Sequence, residues 1–261
     1  MDKKIKIKVE NLTKKFGDRE VLKNISFEVY EGEVFVLMGG SGSGKSTTIK
    51  HIIGLLTPTS GSIYIDGTDI TKLTKKELIE FRKKMGYLFQ EGALFDSLTV
   101  WENVGFYYLE NTDKPAKEIR KLASEKLALV GLKGIEDLYP SQLSGGMRKR
   151  VSLARAISTE PEIIMYDEPT SGLDPVTSAM IDNLILSLRD NIGVTSIVVT
   201  HDLDSAFSIA DRIAMIHKGV IYAIGTPEEI KQSPDPIVQQ FINRRAEGPI
   251  TEEIFKEMTK S

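Results

Sequence analysis

The chain has 261 residues, 41% of them hydrophobic and 27% charged, with a formal net charge of -3 and no cysteine. That length allows one large domain or two small ones with a sizeable core. The composition excludes a disulfide framework and a thiolate metal site, and it gives no bulk electrostatic attraction to nucleic acid. No apolar run approaches the roughly 18 residues of a membrane-spanning helix. The opening "MDKKIKIKVE" is charged and alternating, unlike a signal peptide.

In chain order, Ile5, Ile7 and Val9 recur with period two, as do Ile25, Phe27 and Val29. This predicts half-buried strands, turned at the Gly-Asp of "FGDRE", in an antiparallel sheet. "VFVLM" at Val34 to Met38 is a buried strand that runs into "GGSGSGKST" at Gly39 to Thr47, and "KSTTIKHIIGLL" continues as a helix. "GSIYIDG" and "MGYLFQ" are further short strands. From about Ser97 to Thr159 helical spacing dominates, as in "KEIRKLASEKLALVGL". Strands resume at "EIIMYDEP" and "TSIVVTHD", separated by an amphipathic helix that starts after Pro175. "RIAMIH" and "VIYAIG" form a strand pair turned at Lys218-Gly219. After Thr226 the chain becomes a proline-containing, charged tail with a short helix or two.

The chemistry concentrates in a few places. Gly39, Gly44, Lys45 and Ser46 fit G-x-x-x-x-G-K-[ST] between a strand and a helix. Glycines let backbone N–H groups wrap phosphates, Lys45 neutralises β/γ-phosphate charge, and the Ser46 hydroxyl can ligate Mg²⁺. Asp167 and Glu168 follow a buried strand. In a phosphate-loop enzyme the first such acid holds Mg²⁺, and the second can deprotonate a water aimed at the γ-phosphate. His201 lies just past another strand end, the side of an α/β sheet where ligands bind. His51 and His217 lack such a context and are structural. Gln90, ending a strand, is either a Mg²⁺ or water contact or a plain loop residue. Phe16 is either a base-stacking or a core aromatic.

A second anion-binding pattern lies in "YPSQLSGGMRKRVSLARA" at Tyr139 to Ala156. Ser144, Gly145 and Gly146 open a helix that carries Arg148, Lys149, Arg150 and Arg155. The positive end of a helix favours anions. The basic run fits an anionic partner and a solvated basic face about equally.

The order of phosphate loop, Gln90, "LSGGM", "IIMYDEP", "SGLD" and a lone histidine resembles the ATP-binding subunit of ABC transporters over roughly Lys4 to Gly225. The resemblance implies an α/β phosphate-loop NTPase with a RecA-like core, an N-terminal antiparallel β subdomain, a helical insertion subdomain and a short C-terminal tail. The ATPase domain is expected at residues 1–226, with the helical subdomain at about 97–159, and the extension at 227–261. The cofactors implied are ATP and Mg²⁺.

The resemblance gives Phe16 as the adenine-stacking aromatic. Gly39, Gly40, Ser41, Gly42, Ser43, Gly44, Lys45, Ser46 and Thr47 hold the phosphates. Ser46, Gln90 and Asp167 hold the metal, with Glu168, His201 and Gln90 as catalytic residues. Ser144, Gly145, Gly146 and Asp174 serve the ATP of a second copy, in a head-to-tail homodimer. Met147 stands where glutamine is usual, and Gly40 where proline is frequent.

"QEGALFDSLTVWENV" and "SPDPIVQQFINRRAEGPI" are similar to Mla/Mce-type phospholipid-trafficking ATPases. This implies a separate membrane permease, with Gly92, Ala93, Leu94 and Phe95 flooring its docking groove, although core packing competes for Leu94 and Phe95. It also implies an Mce-domain lipid-binding partner and a location on the cytoplasmic face of the inner membrane, held peripherally by the permease. The last eleven residues, Thr251 to Ser261, do not match the endings of that subgroup. An importer ATPase for amino acids or ions is the alternative. A non-transport ABC ATPase acting on nucleic acid or ribosomes is disfavoured by the acidic balance and the single ATPase unit, so no nucleic-acid partner is expected.

Overall fold

Two twelve-residue strands, β1 (Ile5–Phe16) and β2 (Arg19–Tyr30), open the chain as an antiparallel hairpin. A computed structural model describes residues 3–259; the ends of the expected ATPase domain and extension, residues 1–2 and 260–261, lie outside the described residues. The chain forms two units, one comprising the residues up to Thr71 and from Thr200 onward, the other running from Lys72 to Val199.

In the first unit the hairpin closes with Phe16 opposite Arg19, and Gly17 in the turn takes a left-handed φ of 57°. Alternation buries Ile7, Val9 and Leu12 on β1 and Ile25, Phe27 and Val29 on β2. It fails at the start of β1. Ile5 is exposed and Lys6 is buried, because the register shifts between Ile5 and Ile7. The inward Lys6 ammonium is paired with Asp66 at 2.8 Å.

Next comes β3 (Val34–Met38), buried at every residue, and then α1 (Lys45–Ile52). β4 (Ser60–Ile65) and β5 (Thr68–Asp69) extend the hairpin into a sheet of order β2-β1-β4-β5.

The second unit begins with α2 (Lys75–Arg82), β6 (Met85–Leu88), α3 (Val100–Asn111), α4 (Ala116–Leu129) and α5 (Gly145–Ala156). It continues with β7 (Ile163–Asp167), α6 (Pro175–Ile192) and β8 (Thr195–Thr200). Strands β6, β7 and β8 pair in parallel in that order and are buried at every residue. Such continuous burial belongs to parallel strands covered on both faces. Helices α3, α4 and α5 fill the stretch that the sequence marks as helical. The sequence reading does not anticipate α2, which buries no residue and therefore shows no apolar stripe.

The chain then returns to the first unit with α7 (Leu203–Ile209), β9 (Arg212–His217) and β10 (Val220–Gly225). There β9 pairs in parallel with β3 and antiparallel with β10. The tail forms α8 (Pro227–Lys231), α9 (Pro236–Ile242) and α10 (Pro249–Met258), each opened by a proline whose missing N–H costs nothing there. Gln240, buried on α9, donates to Thr251 Oγ1 at 2.7 Å and accepts from Ile250 N at 2.7 Å, which fastens α10 to α9. His217 and Lys218 both reach Glu253 of α10, at 3.0 and 2.9 Å. No described helix is long and apolar enough to cross a membrane.

Candidate nucleotide site

In the first unit β3 delivers the chain into a loop that only glycine can follow at two points. A Cβ at Gly39 would stand 2.1 Å from the Ile216 carbonyl oxygen. Gly44 has φ 112°, and its Cβ would stand 2.6 Å from Leu22 Cδ2. The loop is thereby pressed against β9 and β2, and α1 starts at Lys45 with no acidic residue in its first turn. A helix N-terminus without competing carboxylates leaves its N–H groups and dipole to an outside anion. Lys45 is buried, and its ammonium donates to the carbonyls of Gly39 and Gly40 at 2.9 and 3.1 Å, so the charge is held inside the loop.

Gly40, Ser41, Gly42 and Ser43 border a cavity of about 700 Å³, together with Arg19 and Val21 of the hairpin. Phe16, across the hairpin turn from Arg19, is 48% exposed, with the Lys14 ammonium 4.9 Å from its ring centroid. Ser46 and Thr47 are half-buried in the first turn of α1. His201 is exposed just after β8, and the next residue, Asp202, caps α7. His51 is buried with Nδ1 2.7 Å from the Thr47 carbonyl, and burial pushes its pKa down, as a structural histidine requires.

In the second unit, Asp167 and Glu168 follow one another at the end of β7, only 5% and 7% exposed. The Tyr87 hydroxyl on β6 donates to Asp167 Oδ2 at 3.0 Å, and burial beside that carboxylate pushes the Tyr87 pKa well up. Glu168 takes a left-handed φ of 49°, and its N–H donates to the Val199 carbonyl at 2.9 Å.

Ser144 caps α5 by accepting from Met147 N at 3.2 Å. Gly145 and Gly146 are then first-turn residues, whose N–H groups have no intrahelical partner by the geometry of a helix start. Asp174 caps α6, accepting from Val176 N and Thr177 N at 3.0 Å each and from Thr177 Oγ1 at 2.5 Å. Those bonds, the Thr177 hydroxyl first, lower its pKa. Exposed Gln90 lines a cavity of about 250 Å³ together with Gly145, Lys149 and Ser171. Within this unit the expected glutamine, the start of the "LSGGM" helix and the "SGLD" segment therefore meet at one cavity.

The basic run on α5 is tied back to the chain: each of its four cations donates to main-chain carbonyls, while Arg148 stays exposed. Arg148 donates to Leu143 at 3.0 Å and Arg150 to Gly131 at 3.4 Å, while Arg155 donates to Ala93 and Gly92 at 2.8 and 2.9 Å. Lys149 donates to Gln90 and to Glu168, the latter at 3.2 Å. Sequence reasoning missed Lys149 and Tyr87. The available signal for Lys149 was its spacing with Ser152, Leu153 and Ala156 on the buried face of α5.

Of the four residues expected to floor a docking groove, Ala93 and Phe95 line an apolar cavity of about 640 Å³ with Phe89, Phe106 and Tyr107. Gly92 and Leu94 do not line it. Gly92 packs on α5, where an added Cβ would stand 2.7 Å from Ser152 Oγ.

The loop between β3 and α1 makes the chain a phosphate-loop NTPase. The sequence profile of the ABC transporter family matches residues 22–171. The chain is 46% identical over 94% of its length to a probable ribonucleotide transport ATP-binding protein, mkl, of Mycobacterium tuberculosis, of which it covers 68%. It is 45% identical over 94% of its length to the intermembrane phospholipid transport system ATP-binding protein MlaF of Haemophilus influenzae, of which it covers 92%. Among solved structures, the ATP-binding cassette MJ0796, a dimer bound to ADP and phosphate, superposes with a TM-score of 0.79 at 37% identity, covering 85% of this chain and 98% of that one. The chain belongs to the ABC transporter family, as its ATP-hydrolysing cassette.

Proposed function

We propose that this chain is the motor of a phospholipid transporter, working with a separate membrane permease from the cytoplasmic face of the inner membrane. In this reading residues 1–226 are the ATPase domain, with a helical subdomain at about 97–159, and 227–261 an extension. The observation that carries the cargo assignment is the similarity to MlaF, which extends over 92% of that protein, together with the "GALF" and tail stretches. An Mce-domain lipid-binding protein completes the proposed assembly. The permease would dock on the aromatic cavity bordered by Ala93 and Phe95, a surface whose apolar lining suits an amphipathic helix.

Phe16 stacks on adenine. The N–H groups from Gly39 to Thr47 and the Lys45 ammonium hold the phosphates. The donor set fits Mg²⁺, since the Ser46 hydroxyl, the Gln90 amide oxygen and the buried Asp167 carboxylate are all hard oxygen ligands. When bound, the ion neutralises charge on the β- and γ-phosphates. The Glu168 carboxylate takes a proton from water. The water oxygen bonds to the γ-phosphorus as the bond to the β,γ-bridging oxygen breaks, leaving ADP and phosphate. His201 contacts the γ-phosphate. Ser144, Gly145 and Gly146 of a second copy close the site, and Asp174 joins it to the opposite one. The pairing explains why one chain carries two anion-binding loops.

Two measurements test this. Glu168→Gln is expected to bind ATP, stabilise the dimer and lose turnover; undiminished hydrolysis refutes the assigned base. Mass spectrometry of the purified ATPase–permease complex is expected to find co-purified phospholipid. A polar solute in its place, the cargo in the name of mkl included, refutes the lipid assignment and leaves the ATPase chemistry standing.

A further inference from the structure

Lys149 sits in the second turn of α5, buried to 7% exposure within the apolar half of that helix. Its ammonium donates to two main-chain carbonyls far apart in sequence, those of Gln90 and Glu168. A lysine enclosed this way is held at a desolvation cost, and burial pushes its pKa down while the charges of Glu91, Asp167 and Glu168 oppose that shift. A methionine-like stem would fill the same space without the cost, so the ammonium is there for what it bonds.

Glu168 supplies the reason. A non-glycine residue at φ 49° is strained, and Glu168 also precedes Pro169, whose ring restricts the preceding backbone further. Such a conformation persists only where the surroundings over-determine it. Here three bonds do so: its N–H donates to the Val199 carbonyl at 2.9 Å, and its carbonyl accepts from the Ser171 N–H and from the Lys149 ammonium at 3.2 Å each. Lys149, reaching in from α5, and Ser171, from the turn that follows, together hold the peptide plane after Glu168. The same ammonium holds the carbonyl of Gln90, so one cation on the "LSGGM" helix sets the backbone of two proposed catalytic residues in its own subunit.

We propose that Lys149 is a positioning residue for hydrolysis, acting through the backbone of Glu168 and Gln90 without touching nucleotide. The proposal rests on Glu168 as the base. Lys149→Met keeps the stem and removes the donors. In the full chain it is expected to lower kcat about 10- to 100-fold while the Kd for a fluorescent ATP analogue stays within about twofold of wild type. Lys149→Arg, which can donate to both carbonyls, is expected to recover most of the lost kcat. A loss of packing alone would raise Kd and lower kcat together and would not be rescued by the bulkier arginine.

Wild-type kcat in Lys149→Met overturns the proposal if Glu168→Gln is inactive in the same assay. Normal turnover in Glu168→Gln instead overturns the base assignment, and the proposal with it. If Lys149→Met folds poorly, Lys149→Gln decides. Its amide nitrogen is uncharged and ends one bond short of the lysine ammonium, so wild-type kcat in that variant, or a loss of kcat matched by a loss of ATP affinity, overturns the proposal. A lowered kcat at unchanged affinity supports it.

Discussion

Tyr87→Phe isolates a single hydrogen bond. The ring of Tyr87 is buried on β6 and tilted against Phe89, with centroids 4.4 Å apart, so phenylalanine fills the same space. What is lost is the hydroxyl that donates to Asp167 Oδ2 at 3.0 Å. Asp167 is 5% exposed, so water does not readily replace that donor. A hydrogen bond to a buried charged group contributes about 2 kcal/mol, within a range of roughly 1.5–3. For a chain of this size, about 2 kcal/mol corresponds to a fall in Tm of roughly 4–8 °C. The bond also orients the carboxylate proposed to hold Mg²⁺, so the Mg²⁺ concentration for half-maximal ATPase activity is expected to rise several-fold while maximal kcat is largely recovered at high Mg²⁺. Differential scanning calorimetry and a Mg²⁺ titration of turnover measure the two effects. An unchanged Tm would refute the structural argument, and a normal Mg²⁺ response would refute the role given to Asp167.

Two further outcomes are expected. Ser144→Arg removes the cap of α5, at a cost of about 1 kcal/mol, and places a large cation at the helix start. It should leave ATP binding to the monomer intact and abolish both dimer closure, read by light scattering, and hydrolysis; normal hydrolysis would mean that the site is not shared between copies. The α10 clasp should respond to acid. Lys218 first and His217 second lower the pKa of Glu253, so its contribution is full above the usual carboxylate pKa and is lost as pH falls through the depressed folded value. Protection of the α10 amides, taken relative to intrinsic exchange at each pH, should therefore hold from pH 7 to about 5 and fall below pH 4. Glu253→Gln should exchange fast throughout, and slow exchange at pH 7 in that variant would show that the clasp does not hold the helix.

What the sequence discloses about this molecule follows physical locality. The phosphate loop is legible because its constraints are met within a few residues: a buried strand, glycines where the backbone must pass Ile216 and Leu22, and a helix start free of acids. The starts of α5 and α6 are legible for the same reason, since Ser144 and Asp174 cap their own helices. Helix α2 escapes an apolar-stripe search because it buries nothing, and the signal it did carry was the Thr74–Glu77 capping box. Helix α7 is seven residues long, too short to show a period. The exchange of Ile5 for Lys6 in the core depends on a shift of pairing with β2, which no local pattern encodes. Lys149 is the extreme case. Its neighbours in sequence, Arg148 and Arg150, are cations too, so its charge does not set it apart, and only the approach of Gln90 and Glu168 in the fold gives it partners.

The two capped helices also meet each other at their starts. A Cβ on Gly146 would stand 2.6 Å from Thr177 Cγ2, so the start of α5 lies against the first turn of α6 with no room for a side chain between them. Thr177 in turn donates to Asp174 at 2.5 Å. Gly146, Thr177 and Asp174 are thus linked by close contact and hydrogen bonding inside one unit. If a second copy completes the nucleotide site, it presents the signature glycines and the "SGLD" acid together, as one rigid piece. Enlarging Gly146 to alanine would then disturb both contacts at once, and its effect on closure should not add to that of an Asp174 substitution.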